Sequence, residues 1–517
     1  MNGAELLLRT AAVNGIDICF ANAGTTEIPF VAALDGQPGI RAVLGLFEGV
    51  CTGAADGYGR MLGRPAMALL HLGPGFANGI ACLHNARRAN TPVVNIIGEH
   101  ASWHRDADPP LNMDIASLAG TVSGWKRTSR GARGLSRDMA AVIGAAMTGK
   151  IASLIVPIDY QWSDCRNVTV VRAVPDFKPF DAVLIEEAAR VLKGNKRTAM
   201  ILGGRALRHE GLMAAKRIKA ATGCGLLANS FPGYMDRGGP LPAVARIPYF
   251  PEPAMELMDG YDAFVIAGAH DPVTFFGYHG IPGRLIRKDR KKVVVATEDH
   301  DPIEVLEHLA GLFAVAHVPA GPGVNNAPGL SVPVGPLTPE AVSLTIAALQ
   351  PEGAVVVDEG LTTSFPYYPA SHGLASHCYM TIAGGAIGYG MPCSVGAAFA
   401  APERPVINIQ ADGSAMYTVQ ALWTMAREGL NVTTLLCNNG GYHIIDVELE
   451  RAGLKSPGKS ARGLVDINGP VIDWVMLSRG LGVPAVKVED TGGLAREMKK
   501  AITEPGPHLI EMIVKNP

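Results

Sequence analysis

The sequence predicts an α/β protein of three domains, each a mainly parallel sheet flanked by helices. Short apolar runs rich in β-branched residues alternate with helix-like segments along the whole chain, which is the pattern of parallel strands joined by helical crossovers. The chain has 517 residues, of which 48% are hydrophobic. This length is enough for about three domains of ordinary size.

The first helix and the strand-like runs follow in chain order. An amphipathic helix is predicted from Ala4 to about Val13, followed by a strand. Nine further runs are typical of buried strands: 42–48, 66–71, 93–98, 199–204, 263–268, 293–297, 355–358, 406–410 and 433–438.

Two breaks in this pattern predict the domain boundaries. Residues 165–182 contain Pro175 and Pro179, and residues 318–339 are dense in proline and glycine. Such segments are typical of linkers. The predicted domains are therefore 1–165, 180–320 and 338–517.

Bulk composition excludes several classes of protein. The formal charge is −2, and no basic run or patch stands out, so a nucleic-acid partner is not expected. The eight cysteines form no C-x-x-C pair, which argues against thiolate metal sites and disulfides and suits a reducing cytoplasm.

A membrane association is not expected either. The N-terminus lacks the basic and apolar regions of a signal peptide. The uncharged segment 382–402 is rich in glycine and carries Pro392, which favours a close-packed turn and a buried helix over a membrane span. We therefore expect a soluble, cytoplasmic protein.

A strand–helix–strand unit near the C-terminus indicates a metal site. Strand 406–410 precedes Asp412, a helix is predicted over Tyr417–Glu428, and strand 432–437 precedes Asn438 and Asn439. Because the carboxyl ends of neighbouring parallel strands lie side by side, Asp412 and Asn439 should be close in space. Their oxygens suit Mg²⁺ or Ca²⁺.

A phosphate group should complete that metal site. Gly413 and Ser414 lie at the start of the predicted helix, where backbone N–H groups and a hydroxyl can bind a phosphate. The unit thus predicts a metal-bridged diphosphate. The alternative is a helix-capping aspartate beside an unrelated Asn-Asn-Gly-Gly turn.

This unit resembles the binding motif of the thiamine-diphosphate (ThDP) enzymes, which begins Gly-Asp-Gly and ends Asn-Asn after fewer than thirty residues. Ala411 replaces the first glycine here, which requires a negative φ at that position. The resemblance implies that the Asp412 carboxylate, the Asn439 side-chain oxygen and the Gly441 carbonyl bind Mg²⁺.

The same resemblance extends upstream of the motif. The segment 381–392 is similar to the one that holds the aminopyrimidine ring, with the Gly385 carbonyl accepting from the 4′-amino group. Ile387 would be the bulky residue that bends the cofactor. Gly413 is part of the cofactor-binding set, and the diphosphate would contact Thr362, Ser414 and Tyr442.

The same resemblance implies that the N-terminal third supplies an acid for N1′ of the cofactor's pyrimidine ring. Glu48 closes an apolar strand and opens a helix of small residues in 42-AVLGLFEGVCTGAADGYGR-60. Taken by itself, it is an ordinary first-turn glutamate favoured by the helix dipole. In the family the equivalent glutamate acts on the cofactor of the other subunit, so the resemblance implies a homodimer at least, and we expect a homotetramer.

The resemblance covers essentially the whole chain and is closest to the benzoylformate decarboxylase and acetolactate-synthase-like branch. It places the Thr25 hydroxyl near the substrate. It also matches His71 and His279 to a pair of histidines in benzoylformate decarboxylase. Imidazole titrates near neutral pH, so this pair indicates proton transfer.

The implied reaction is cleavage of the bond between the carboxyl and carbonyl carbons of a 2-oxo acid. Protonation would release an aldehyde, whereas addition to an aldehyde or a second 2-oxo acid would make the protein a carboligase. The first alternative is therefore acetolactate synthesis from pyruvate. An oxidase of this fold would need FAD, which we do not expect.

Two alternatives lie outside that chemistry. A non-catalytic ThDP-binding subunit is disfavoured because Glu48 is retained. A dinucleotide-dependent dehydrogenase is disfavoured because no G-x-G-x-x-G stands between a strand and a helix.

Overall fold

The computed structural model describes residues 1–194, 197–313, 330–454 and 458–515. Most of the second predicted linker, residues 318–329, lies outside the described residues. In the described part of the chain, no helix has the length and apolarity needed to cross a bilayer.

The N-terminal segment forms a six-stranded sheet in the order β2-β1-β3-β4-β6-β5, and every pairing in it is parallel. The predicted first helix is confirmed, and the Asn2 side chain caps it by accepting from Glu5 N–H. The strands are β1 Ile18–Asn22, β2 Arg41–Leu44, β3 Ala66–Leu70, β4 Val93–Glu99, β5 Trp125–Thr128 and β6 Ile151–Pro157. The helices are α1 Gly3–Val13, α2 Ile28–Leu34, α3 Glu48–Leu62, α4 Leu72–Arg88, α5 Ile115–Ala119, α6 Leu135–Met147 and α7 Ile158–Trp162.

The middle segment forms a five-stranded parallel sheet in the order β10-β8-β7-β11-β12. Its strands are β7 Thr198–Leu202, β8 Gly225–Ala228, β9 Met235–Arg237, β10 Ala245–Arg246, β11 Ala263–Ala267 and β12 Lys291–Ala296. Its helices are α8 Ala182–Gly194, α9 His209–Thr222, α10 Pro251–Asp259 and α11 Pro302–Gly311. β9 lies outside this sheet and pairs antiparallel with a strand near residue 380.

In the C-terminal segment the strands run parallel in the order β17-β18-β16-β15-β13. The strands are β13 Val355–Glu359, β14 His377–Thr381, β15 Val406–Ala411, β16 Val432–Asn438, β17 Ala485–Val488 and β18 His508–Ile513. The helices are α12 Pro339–Leu349, α13 Tyr367–Ala370, α14 Gly390–Ala400, α15 Asp412–Ala415, α16 Ala421–Glu428, α17 His443–Arg451, α18 Lys459–Arg462, α19 Trp474–Gly480 and α20 Thr491–Thr503. The three sheets confirm the predicted α/β class.

Two local predictions need correction. The helix predicted over Tyr417–Glu428 begins only at Ala421, because the Thr418 hydroxyl donates to the Gly388 carbonyl (2.9 Å) and residues 416–420 form turns. The strand predicted to run up to Glu48 ends at Leu44, whereas the prediction that Glu48 opens a helix is confirmed, because it is the first residue of α3.

The chain divides into two compact units. The described residues of Met1–Val174, Pro328–Ser371 and Gly384–Pro517 form the first, which contains the N-terminal sheet and most of the C-terminal one. Pro175–Ala327 and His372–Ala383 belong to the second, which contains the middle sheet and the β9–β14 pair. Apart from residues 372–383, the described residues of the first and last thirds of the sequence thus belong to one unit, and every candidate residue except His279 lies in it.

Helix α3 crosses helix α14 at very short range inside the first unit. A side chain at Gly57 would meet the backbone of Cys393 at 2.0 Å, and one at Gly396 would meet the Ala54 carbonyl at 1.8 Å. Only glycine permits this approach. The crossing also buries an ion pair between Asp56 and Arg60 (2.6 Å).

The cysteines are all buried and none is in a disulfide. Burial raises the pKa of Cys19 and of Cys393 to about 12. Buried thiols of this kind pack as small apolar side chains.

Candidate active site

His71 lies directly after β3 and is held by a buried carboxylate. Its Nδ1 is 2.8 Å from Oε2 of Glu27, whose side chain is 1% exposed. Glu27 Oε2 also accepts from Gly24 N–H (2.8 Å), and Oε1 accepts from the Thr26 hydroxyl. His71 is therefore fixed through Nδ1, and Nε2 is the ring nitrogen that could exchange a proton with a substrate.

The Glu27 contact changes the protonation of His71. The hydrogen bond to Glu27 raises the pKa of the imidazole, and burial opposes this in part. The next residue, Leu72, is buried with φ at +53°, a strained conformation for a branched side chain. Strain of this kind is maintained by its surroundings and is common at functional sites.

Glu48 is a close neighbour of His71. A side chain at Gly75 would lie 3.0 Å from Glu48 Oε1 and 3.2 Å from His71 Cβ, so both flank the same glycine. The Asn78 amide donates to Glu48 Oε2 at 3.0 Å. The carboxyl ends of β2 and β3 thus bring the predicted acid and the predicted proton carrier together.

The predicted proximity of Asp412 to the Asn439 turn is confirmed. Strands β15 and β16 pair in register, with Ala411 opposite Cys437. Asp412 Oδ1 accepts from Gly413 N–H (2.7 Å), and Oδ2 accepts from Gly440 N–H (2.8 Å). Burial raises the pKa of this carboxyl group.

The turn at Ala411 has the geometry that the sequence requires. Its φ is −79°, so the methyl group in place of the family's glycine causes no strain. A side chain at Gly413 would meet the Tyr442 ring at 2.5 Å, so a larger residue here would have to displace that ring.

The Asn439–Tyr442 turn is fixed from its other side. Tyr442 N–H donates to the Val465 carbonyl (2.9 Å), and the Gly440 carbonyl accepts from Ile467 N–H (3.0 Å). These two bonds make an antiparallel bridge between Gly441 and Asp466. In such a bridge the Gly441 carbonyl faces away from its partner strand.

The loop that carries Gly385 and Ile387 is held by buried side chains. Asn85 Oδ1 accepts from Gly384 N–H and Ala386 N–H, and its amide donates to the Ala386 carbonyl (2.7 Å). Gly385 has φ at +74°, the left-handed region that glycine adopts readily. The chain's own side chains therefore fix the loop that is predicted to hold the aminopyrimidine.

Glu359, at the end of β13, fixes the following part of that loop. It is fully buried and accepts from Gly388 N–H (2.7 Å), Gly390 N–H (2.6 Å) and the Gln410 amide (2.9 Å). Gln410 in turn donates to Ser414 Oγ (2.7 Å). Burial raises the pKa of Glu359.

Other predicted residues are less closely tied to these clusters. Thr25 is exposed, and the neighbouring Thr26 hydroxyl is the one that approaches His71 (3.3 Å). Thr362 follows Leu361, a second leucine with positive φ (+49°). His279 lies on an exposed stretch of the second unit.

The structure also shows residues that sequence reasoning missed. Glu27, Asn85, Glu359 and Gln410 are isolated polar residues in apolar or mixed segments, and only their burial marks them. The cluster of basic residues in 126-KRTSRGARGLSR-137, by contrast, could have been found from the sequence alone. They line a cavity, so the expectation that no basic patch stands out is wrong.

The residues present fit ThDP with Mg²⁺. Asp412, the Asn439 side chain and the Gly441 carbonyl offer hard oxygen donors on two adjacent turns. Gly413 packs against the Tyr442 ring, and Asn85 holds the loop that carries Gly385. Among the described residues, no group of three His, Cys, Asp or Glu side chains could hold a metal. The predicted ligand set is of another kind, because Asp412 is its one residue of these four types.

Comparisons with known proteins place these features in a family. Residues 1–118 match the model of the thiamine pyrophosphate enzyme N-terminal TPP binding domain, and residues 364–512 match that of the C-terminal TPP binding domain. A Mycobacterium tuberculosis protein named "Putative acetolactate synthase large subunit IlvX" is 46% identical over 99% of both chains.

More distant relatives carry decarboxylase names. Benzoylformate decarboxylase of Pseudomonas aeruginosa is 28% identical over 96% of both chains. The solved structure of a Rhodococcus jostii thiamine diphosphate-dependent 4-hydroxybenzoylformate decarboxylase has a TM-score of 0.86 at 22% identity and covers all of both chains. At 22% identity, the similarity to this solved structure is a similarity of fold.

Proposed function

Because the chain belongs to the thiamine pyrophosphate enzyme family, we propose that it is a ThDP- and Mg²⁺-dependent decarboxylase of 2-oxo acids. The observation that carries this proposal is the Glu27–His71 pair beside Glu48. An imidazole whose pKa is raised by a buried carboxylate is suited to donate a proton near neutral pH.

The cofactor is proposed to bind between two subunits. Asp412, Asn439 and Gly441 would hold Mg²⁺, and Gly413, Ser414, Thr362 and Tyr442 would contact the diphosphate. Gly385 and Ile387 would hold the aminopyrimidine, and Glu48 would act on the cofactor of the partner subunit. The assembly is therefore proposed to be at least a homodimer, and a homotetramer by likeness to the family.

When bound, ThDP supplies the electron sink that cleavage next to a carbonyl requires. The protein's own residues orient the 2-oxo acid and manage protons. His71 Nε2 is proposed to deliver the proton that replaces the lost carboxyl group, so that one 2-oxo acid and one proton give one aldehyde and one carbon dioxide. His279 is proposed as the second histidine of this step, and Thr25 as a substrate contact.

A second candidate is carboligation of the acetolactate-synthase type. The relative at 46% identity, which spans the whole chain, carries that name. In this case the former carbonyl carbon, having lost its carboxyl group as carbon dioxide, adds to a second 2-oxo acid or an aldehyde instead of receiving a proton. His71 would then assist the reaction rather than terminate it.

Product analysis by NMR distinguishes the two reactions. The purified protein with ThDP and Mg²⁺ is given 2-oxo acids from pyruvate to benzoylformate, each with and without an acceptor aldehyde. Aldehyde with carbon dioxide supports the decarboxylase, whereas acetolactate or another ligation product supports the carboligase. No turnover of any 2-oxo acid by cofactor-loaded protein would refute both.

A further inference from the structure

A large basic cavity opens in the first unit, apart from the candidate active site. Its volume is about 1120 Å³, and it lies where β5 leads into α6. Six cationic side chains and a single carboxylate, that of Asp138, line it. The six are Arg105, Lys126, Arg127, Arg130, Arg133 and Arg137.

Most of this positive charge is not neutralised. Arg127 pairs with Asp138 (2.9 Å), and Lys126 Nζ donates to the Ala116 carbonyl (2.7 Å). The other four arginines form no ion pair with any described residue. The chain as a whole has a formal charge of −2, so this concentration of cations is a local feature that favours an anion.

A buried hydroxyl without a partner lies in the cavity wall. Ser129 is only 3% exposed, yet its Oγ makes no hydrogen bond with the described part of the chain. Buried polar groups are nearly always satisfied in native proteins, so such a group indicates a missing ligand or water. Ser129 is part of the cavity wall, but its Oγ is enclosed by protein atoms, so it is not a donor to a ligand in the cavity.

Backbone donors add to this set. Within the described residues, the N–H groups of residues 130–133 have no acceptor. Helix α6, of 13 residues, starts at Leu135 with no side-chain cap. Nothing lies within 4 Å of the place where a side chain on Gly131 would be, so the loop backbone is open to a ligand. Guanidinium groups and helix N-terminal amides are donors from which phosphate oxygens accept hydrogen bonds.

We infer that this cavity binds a small molecule carrying two or more phosphate groups. Its volume exceeds what one phosphate fills, and six cations exceed what one phosphate neutralises. A single-stranded nucleic acid would need stacking platforms, and Tyr160 is the sole aromatic residue in the described lining. The carboxyl end of β5 lies three strand positions from that of β3, roughly 14 Å at ordinary strand spacing, so this is a site distinct from His71.

Calorimetric titration of the holoenzyme, saturated with ThDP and Mg²⁺, tests the inference. ADP is the probe, and inorganic pyrophosphate replaces it to show whether the nucleoside contributes. We expect one site per chain, with no loss of bound ThDP. The double variant Arg130→Ala/Arg133→Ala should weaken binding roughly 10-fold or more, because it removes two charge-assisted contacts.

A matched control removes the same charge elsewhere. Arg166 and Arg496 are exposed and lie outside the cavity, and the double variant Arg166→Ala/Arg496→Ala should bind ADP within about 2-fold of the parent protein. No measurable binding, equal weakening by both double variants, or displacement of ThDP would overturn the inference. Tighter binding of an oligonucleotide than of ADP would overturn the assignment to a small molecule. Turnover plays no part in this readout, so the test is independent of the proposed reaction.

Discussion

Replacing Glu27 by glutamine should change how the reaction depends on pH. The glutamine side chain would keep the size of the original and an acceptor for Gly24 N–H, but it would remove the charge that hydrogen-bonds His71 Nδ1 at 2.8 Å. A hydrogen bond to a charged group contributes about 1.5–3 kcal/mol. If His71 acts as a protonated donor, losing this stabilisation lowers the population of the protonated imidazole at a pH above its pKa, and turnover there slows roughly 10- to 150-fold.

The sign of the pH effect follows from the same contact. Glu27 raises the pKa of His71, so the protonated imidazole persists to higher pH than an ordinary histidine, and activity should fall as pH rises through that pKa. In Glu27→Gln the pKa drops, and the basic limb of the kcat profile moves to lower pH. His71→Ala should remove that limb altogether.

The assay is steady-state kinetics across pH with the 2-oxo acid that the product analysis identifies. Glu304→Gln is the control, because Glu304 is an exposed carboxylate of α11 in the second unit. Thermal unfolding and bound-ThDP measurements confirm that the variant is folded and loaded. An unchanged basic limb with kcat within about 2-fold of the parent would refute the role of the Glu27–His71 pair.

Three other substitutions test the remaining parts of the site and the ion pair at the crossing of helices α3 and α14. Glu48→Gln should cut turnover by orders of magnitude while ThDP stays bound, as measured by kinetics and cofactor titration; near-normal kcat contradicts its role. Asp412→Ala should abolish Mg²⁺-dependent ThDP binding in a titration, and unchanged affinity argues against the metal assignment. Asp56→Ala removes the carboxylate partner of buried Arg60 and should cost about 3–5 kcal/mol in urea unfolding; a loss under about 1 kcal/mol would show that the pair is replaceable.

Local pattern predicted the strands and the geometry of the Asp412 turn well. Strand 406–410 and the strand before Asn438 are buried, continuous apolar runs, and parallel register alone places their carboxyl ends together. The negative φ at Ala411 follows from the same regular geometry. Such features depend on short-range rules that the sequence carries.

Long-range contacts account for what was missed. Glu27 and His71 are 44 residues apart, and Asn85 is 301 residues from Ala386. No periodicity links such pairs, because they meet only when loops from different strands converge. The late start of α16 has the same origin, since the Thr418 hydroxyl is bound by Gly388 from a distant loop.

Because every cysteine is buried, the rate of thiol alkylation can measure how often the folded core opens. Thiols react with alkylating reagents as thiolates, and eight core thiols, several with raised pKa, are protected while the chain is folded. The rate of alkylation therefore reports opening of the core. A cysteine introduced at an exposed position such as Trp103, which is 71% exposed, would be the fast-reacting thiol, so a spectroscopic label could be attached there without removing any native cysteine.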